Sequence, residues 1–428
     1  MNIKNKIGWK TASGLVIANT IGTGVFTSLG FQVAGSQNTW SIILLWVIGG
    51  LMALIGAFVY AELGTHFKKS GGDYIFLSRT IHPAAGYIYA WVSLTVGFSA
   101  PISIAAMAMV KYWEPLIGFN NSQIIGMTAI LTMGLFHSSS VHQSGLVHNI
   151  LTGIKLIFVF VLIGVGFGYA SVLAESSFDF SASWKGEILA PGFAVSLIYV
   201  FYAYTGWNSA AYIVEEINEP RKSLPKALIS ATFLVMVVYV LLQLVFLKHA
   251  SIAQLEGKVQ VATLAFGNLF GNQGVFWVSL FIGIQLIATI SGYTWVGPRI
   301  TNAMAKEYVF WKPLALLNKN GIPVRAIWFN TAISLVLMFS GSFESIMLYA
   351  GFVLQVMGTL TIAASLRLKS RSGFRSPFRP WIQWIYILFS LWVMVFMIYD
   401  RPKESLFGLG IIFVGYILFL FDRKTLQI

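Results

Sequence analysis

Cysteine is absent from all 428 residues, which excludes disulfides, thiolate metal sites and cysteine nucleophiles together. Charge is scarce. Only 10% of the residues are Asp, Glu, Lys or Arg, against about 25% in an ordinary soluble domain. Long polar stretches are missing too: the longest segments between apolar runs are 171–190, 248–272 and 298–323, none sufficient for a soluble domain. No secretory signal is evident, because the first apolar run is too long, is broken by glycine and is not followed by a small-residue cleavage site. There is no P-loop, no Ser/His/Asp arrangement and no metal-ligand spacing, so neither a metal nor a cofactor is expected.

What is present is apolar. The chain is 57% hydrophobic, with a mean hydropathy of +0.76. It reads as one all-α, polytopic membrane domain. Apolar runs at 11–34, 40–65, 84–112, 121–137, 146–170, 191–214, 226–247, 273–297, 324–341, 345–367, 380–399 and 404–421 predict about twelve spans. With loops assigned alternately, 21 of the 28 Lys and Arg fall on the side of the N-terminus and six on the other, with Lys155 inside a span. This asymmetry places both termini in the cytoplasm of a cell membrane. The net charge of +13 then belongs to a membrane face, not to a nucleic-acid surface.

Within the first run, Ile21-Gly22-Thr23-Gly24-Val25-Phe26 stands out. Gly22 to Gly24 lie roughly 18–21 Å past Lys10 if the segment is helical, deep in a hydrocarbon layer of about 30 Å. Glycines there make helix poorly and free backbone groups, which a membrane tolerates only against protein or a cavity. The sixth run repeats the pattern at similar depth, with Tyr202-Ala203-Tyr204-Thr205-Gly206-Trp207-Asn208. Two polar, glycine-containing breaks five spans apart point to inverted repeats, 11–170 and 191–367, followed by an added pair at 380–421. A broken helix offers free N–H groups on one side and free C=O groups on the other, a match for a zwitterion with carboxylate and ammonium on adjacent atoms. The plainer reading of Gly-Thr-Gly is a close helix–helix contact between small residues.

The first-span signature resembles that of the amino acid–polyamine–organocation superfamily. Tyr60-Ala61-Glu62-Leu63-Gly64-Thr65, Lys69-Ser70-Gly71-Gly72-Asp73-Tyr74, the sixth-span core and Glu215-Glu216-Ile217-Asn218-Glu219-Pro220-Arg221-Lys222 are similar to its L-type amino acid transporter branch. The resemblance covers at least spans 1 to 7. It implies a LeuT-type fold of five plus five spans with two extra helices. It implies that the backbone of Thr23 and Gly24 receives a substrate carboxylate, and that the carbonyl of Ile21 and span-six carbonyls around Tyr202 and Thr205 receive its ammonium, with Gly22 and Ala203 also counted as substrate-binding. Tyr202 takes the place of a gating aromatic that is often Phe. Thr205 stands where Gly is common, which argues for small substrates. Asn208 matches a polar position near the site. Animal members pair with a heavy chain through a cysteine. This chain has none, so a free-standing transporter of bacterial kind is expected, its oligomeric state open.

Lys155 is alone in an apolar run, and an ionisable residue there is a functional hypothesis by default. The family carries a Lys on span 5 in sodium-independent members. The expectation is an ammonium bonded to carbonyls near Ala18 or Asn19 and to a hydroxyl such as Thr289 or Ser291. The other readings are snorkelling to the surface and a proton carrier. His137, His142 and His148 match no metal spacing and read as solvated or headgroup residues. Glu62, Asp73, Glu215 and Glu216 lie at span ends, as interfacial charge or as an inner gate paired with Lys68, Lys69, Arg79 or Arg221; Glu216 is the gate residue chosen here. The expected function is sodium-independent exchange of neutral L-amino acids by alternating access. The alternatives are proton-coupled symport and, remotely, an amino acid receptor. A membrane acyltransferase would need a catalytic His within a span, with His137 as its one candidate, so no enzyme is expected.

Overall fold

The computed structural model describes residues 6–118, 122–139, 141–171, 178–368 and 373–422, with side chains left out at 122, 141–152 and 303. Among these residues the architecture is all helix, the one strand-like contact being an isolated bridge between Ile7 and Ile217. Span 1 is broken into Trp9–Thr20, Gly24–Thr27 and Leu29–Gln32. Span 2 is Thr39–Phe67, span 3 runs Pro83–Ile117, span 4 is Ser122–Ser139 and span 5 is Val141–Gly168. Span 6 is broken into Pro191–Tyr204 and Ser209–Glu216, and span 7 is Pro220–His249. Span 8 lies in Val261–Ala305; spans 9 to 12 are Val324–Ser340, Phe343–Ser365, Trp381–Asp400 and Pro402–Asp422.

Seven described helices are long and apolar enough to cross a membrane, and Gly153–Gly168 and Val324–Ser340 are shorter apolar helices. Most predicted edges hold to within a few residues. Span 8 does not: its helix begins at Val261, inside the predicted loop 248–272, and bends where Gly271 adopts φ +59°. That first arm carries enough polar residues to hide the helical period from a hydropathy reading.

Local chemistry sets the entries. Asn38 caps span 2 by accepting from Trp40 N–H at 2.9 Å. His82 caps span 3 ahead of Pro83, which has no N–H to lose at that position. Inside span 3, the turn Ser93–Ser99 widens to a π-helix just before Pro101. A proline removes a ladder donor, and a π turn absorbs the mismatch.

Spans 1 and 6 cross at the centre. Spans 2 and 7 pack against them, spans 3 and 8 pack together, and spans 11 and 12 lie outside. Leu388, Val395, Leu406 and Phe421 are exposed on those outer spans, as lipid-facing side chains are. On the face where the chain begins, Ile7 N–H donates to Glu216 O and Ser70 N–H to Glu215. On the opposite face, Gln37 and Asn38 N–H donate to Glu187, and Phe31 stacks on Tyr199 and Phe343.

Candidate functional site

The two breaks meet. The helix of span 1 stops at Thr20, Ile21 leaves the helical region at ψ 96°, and helix resumes at Gly24. In span 6 it stops at Tyr204, Gly206 adopts φ +108°, and it resumes at Ser209. Glycine is required at both crossings. A Cβ on Gly24 would lie 2.5 Å from Ala203 Cα, and one on Gly206 would lie 2.5 Å from Asn19 O. The close-contact reading and the broken-helix reading therefore describe one arrangement: the contact holds two interruptions against each other.

A small cavity lies there, lined by Asn19, Thr20, Gly22, Thr23 and Gly24 of span 1, Pro101 of span 3, Tyr202, Ala203 and Thr205 of span 6, and Thr289 and Tyr293 of span 8. Of the residues expected from sequence, Gly22, Thr23, Gly24, Tyr202, Ala203, Thr205 and Thr289 are brought together. Ile21 is buried at the break but is not in the lining. Asn208 is not in it either: its amide turns to Asp73 and Tyr212. The N–H groups of Gly22 and Thr23 have no backbone acceptor among the described residues. The Gly22 backbone lies against the Tyr239 hydroxyl, while Thr23 N–H is a donor at the start of a half-helix, where the dipole favours an anion.

Two side chains hold the broken backbone. Lys155, buried, donates from Nζ to Ala18 O at 2.8 Å. Tyr239 of span 7 donates to Thr20 O at 2.6 Å and stands 3.0 Å from Ala203 O, so one hydroxyl ties both breaks. Ser291 does not join Lys155. Its Oγ lies 2.8 Å from His137 Nε2. Positions 289 and 291 point about 200° apart around a helix, so only Thr289 can face the cavity. His137 is correspondingly buried, not a headgroup residue. His142 and His148 lie outside the residues whose side chains are described.

Two of the four acidic residues, Glu62 and Asp73, behave differently from interfacial charge. Glu62 is buried and pairs with Arg379 at 2.7 Å, a partner not among those expected. Asp73 is fully buried with no cation among the described residues. One of its oxygens accepts from Tyr60 and from Thr361 at 2.7 Å. The other accepts from Tyr212 at 2.7 Å and Asn208 at 3.4 Å, and Tyr212 in turn bonds Tyr89. This cluster joins spans 2, 3, 6 and 10 below the cavity. Burial raises the Asp73 carboxyl above its ordinary range, against the pull of these donors. Glu216 turns its carboxylate outward, without an ion pair among the described residues, and contributes through its backbone. No group of three His, Asp or Glu side chains placed to hold a metal occurs among the described residues.

Two discontinuous helices crossing at a buried cavity, in a bundle of membrane-length helices, are the mark of a carrier. The family comparison agrees: the amino acid permease family model matches residues 7–421. The chain belongs to the amino acid permease family. Relatives cover almost all of this permease at modest identity. It is 26% identical to the b(0,+)-type amino acid transporter 1 of Mus musculus, over 99% of this chain and 89% of that protein. It is 25% identical to the large neutral amino acids transporter small subunit 2 of Oryctolagus cuniculus, over 96% and 79%. It is also 25% identical to the Asc-type amino acid transporter 1 of Mus musculus, over 97% and 81%.

Sequence reasoning missed Tyr239, Tyr293, Pro101 and the tyrosines around Asp73. Aromatic residues are so common in these spans, at 15% of the chain, that nothing local marks the few that face inward.

Proposed function

We propose that this permease exchanges neutral L-amino acids across a cell membrane by alternating access, without sodium. The observation that carries the reading is the pair of breaks crossing at one cavity, with the Thr23 N–H lacking a backbone acceptor among the described residues. The N–H groups at Thr23 and Gly24 receive the substrate carboxylate, with Gly22 beside them in the wall. Carbonyls at Ile21 and in the span 6 break, at Tyr202, Ala203 and Thr205, receive the ammonium. The Tyr202 ring covers the bound molecule from one side. Lys155 and Thr289 stand where a coupling ion would bridge span 1 to span 8, and the Lys155 ammonium supplies the positive charge as a fixed tether. The repeats are 11–170 and 191–367, with 380–421 appended and both termini cytoplasmic. The names of the relatives, all amino acid transporters, support the substrate class. No disulfide-linked partner is possible, since cysteine is absent. Closure of the N-terminal face falls to the Asp73 cluster, with Glu216 contributing its backbone bond to Ile7. His137 and Ser291 are not in the cavity lining, and their contact is read as packing and not as a catalytic pair.

The test is uptake of radiolabelled alanine into sodium-free liposomes holding the purified protein, with and without amino acid inside. Exchange predicts uptake only into loaded vesicles. Uptake into empty vesicles driven by a proton gradient would replace exchange by symport. Binding without flux would make the protein a receptor.

A further inference from the structure

The polar side chains in the cavity wall fall into two groups. The Thr20, Thr205 and Thr289 hydroxyls each donate to a carbonyl one turn earlier, to Val16 O at 2.7 Å, Phe201 O at 3.3 Å and Gln285 O at 3.1 Å. Their donors are already engaged. Asn19, Thr23, Tyr202 and Tyr293 have no side-chain hydrogen bond to protein among the described residues, yet all four line the cavity. Asn19 and Thr23 belong to the span 1 break, beside the N–H groups assigned to the main chain of the substrate. The two phenols stand on other elements, span 6 and span 8, where its side chain would lie.

Tyr293 is held in place. It sits one helical turn after Thr289, on the same face of span 8, and its ring rests against Phe98 of span 3 with centroids 6.0 Å apart and planes at 62°. Pro101 and the Ala203 methyl supply apolar wall nearby. Thr205 in that lining narrows the space, which suits a small side chain. A phenol both donates and accepts, so a hydroxyl can satisfy it and a methyl group cannot. An apolar side chain would cover the half-buried phenol and leave it unpaired, which is how sites built to bond a hydroxyl reject analogues lacking it.

We infer that Tyr293 is a specificity-determining residue that reads a hydroxyl on the substrate side chain, so that serine and threonine are preferred to apolar amino acids of the same shape. This rests on the amino acid exchange reading above. Threonine and valine are the decisive pair because they differ only in hydroxyl against methyl. Serine and 2-aminobutyrate are a second such pair.

The experiment is inhibition of radiolabelled alanine exchange in liposomes by each of these four amino acids, for the wild type, Tyr293→Phe and Tyr293→Met. Wild type is expected to favour threonine over valine, and serine over 2-aminobutyrate, by about 10-fold or more in half-inhibiting concentration. Either variant should bring both ratios close to one, chiefly by weakening the hydroxylated member. Equal inhibition by threonine and valine in the wild type overturns the inference, and so does a preference that survives both substitutions. If a variant does not fold, the wild-type ratios still decide. Absence of alanine exchange in the wild type defeats the transport reading itself, an outcome separate from equal inhibition.

Discussion

Asp73→Asn tests what closes the N-terminal face. The Asp73 carboxylate accepts four hydrogen bonds, two on each oxygen, from Tyr60, Thr361, Tyr212 and Asn208. An asparagine keeps one accepting oxygen and turns an NH₂ toward the other partners; a hydroxyl there can rotate to accept from it, but all four bonds lose the carboxylate charge. Bonds to a charged group contribute about 1.5–3 kcal/mol each. Relief from burying a charge offsets part of that loss. A net cost of roughly 2 kcal/mol remains, which raises the population open on that face about 30-fold. The absence of cysteine makes the assay free of background. Thr205→Cys places one thiol on the cavity wall, and a membrane-impermeant thiol reagent is applied from the Asp73 face. Asp73→Asn in that background should speed labelling by an order of magnitude or more, with slower labelling from the other face. A rate unchanged within twofold would mean that the cluster is packing and not a latch.

The same cluster gives a pH dependence. Its titratable neighbours are Tyr60, Tyr89, Tyr212 and Tyr386. Closure raises the Asp73 carboxyl above its exposed value of 3.8, so the closed face binds a proton more readily than the open one. Closure is therefore favoured as pH falls toward the carboxylate range and weakened as pH rises through the raised value. Labelling from the Asp73 face should slow on acidification, and Asp73→Asn should flatten that profile. Gly24→Ala drives a Cβ to 2.5 Å from Ala203 Cα; neither is a flexible side-chain end, so exchange should be abolished while the protein still reaches the membrane, as surface expression would show. Glu62→Gln leaves Arg379 buried without its anion, and about 3 kcal/mol of stability should be lost, visible as a lower melting temperature in detergent.

The breaks in spans 1 and 6 were legible because glycine violates the expectations of a membrane helix, and Lys155 because a lone charge does. Thr289 and Ser291 were both plausible partners for Lys155, since a linear reading shows that both are hydroxyls but not which way span 8 is rotated. His137 was misplaced for the same reason: a histidine at the edge of an apolar run reads as interfacial until span 8 is seen against it. Asp73 was picked out as a gate residue, but basic partners were expected. Its actual partners are three hydroxyls and an amide from spans 2, 6 and 10, and proximity of that kind is created by folding alone. Arg379 was likewise not singled out in the sequence, although it caps the end of span 10 at Ser365 O and Leu368 O while pairing with Glu62.

Lys155 and Tyr239 act on the same few residues, and that makes their combination more informative than either alone. Lys155 holds Ala18 O, and Tyr239 holds Thr20 O two residues on while reaching Ala203 O. If the two side chains only pack their own neighbourhoods, Lys155→Met and Tyr239→Phe should add in free energy. If both restrain one rigid half-helix end, the first loss already frees the end, and the second costs less than it would alone. Lys155→Met removes a charge-assisted bond of about 1.5–3 kcal/mol, and Tyr239→Phe leaves buried carbonyls short of a donor at about 1–3 kcal/mol. Each should raise the half-saturating alanine concentration about 10-fold or more, because only the fraction with an ordered break binds. The double variant should fall short of the product of the two effects by about 0.5–3 kcal/mol of coupling. Strict additivity would assign the two tethers to independent tasks. Lys155→Met with unchanged affinity and unchanged exchange would remove the lysine from the mechanism, leaving Tyr239 to hold the two breaks.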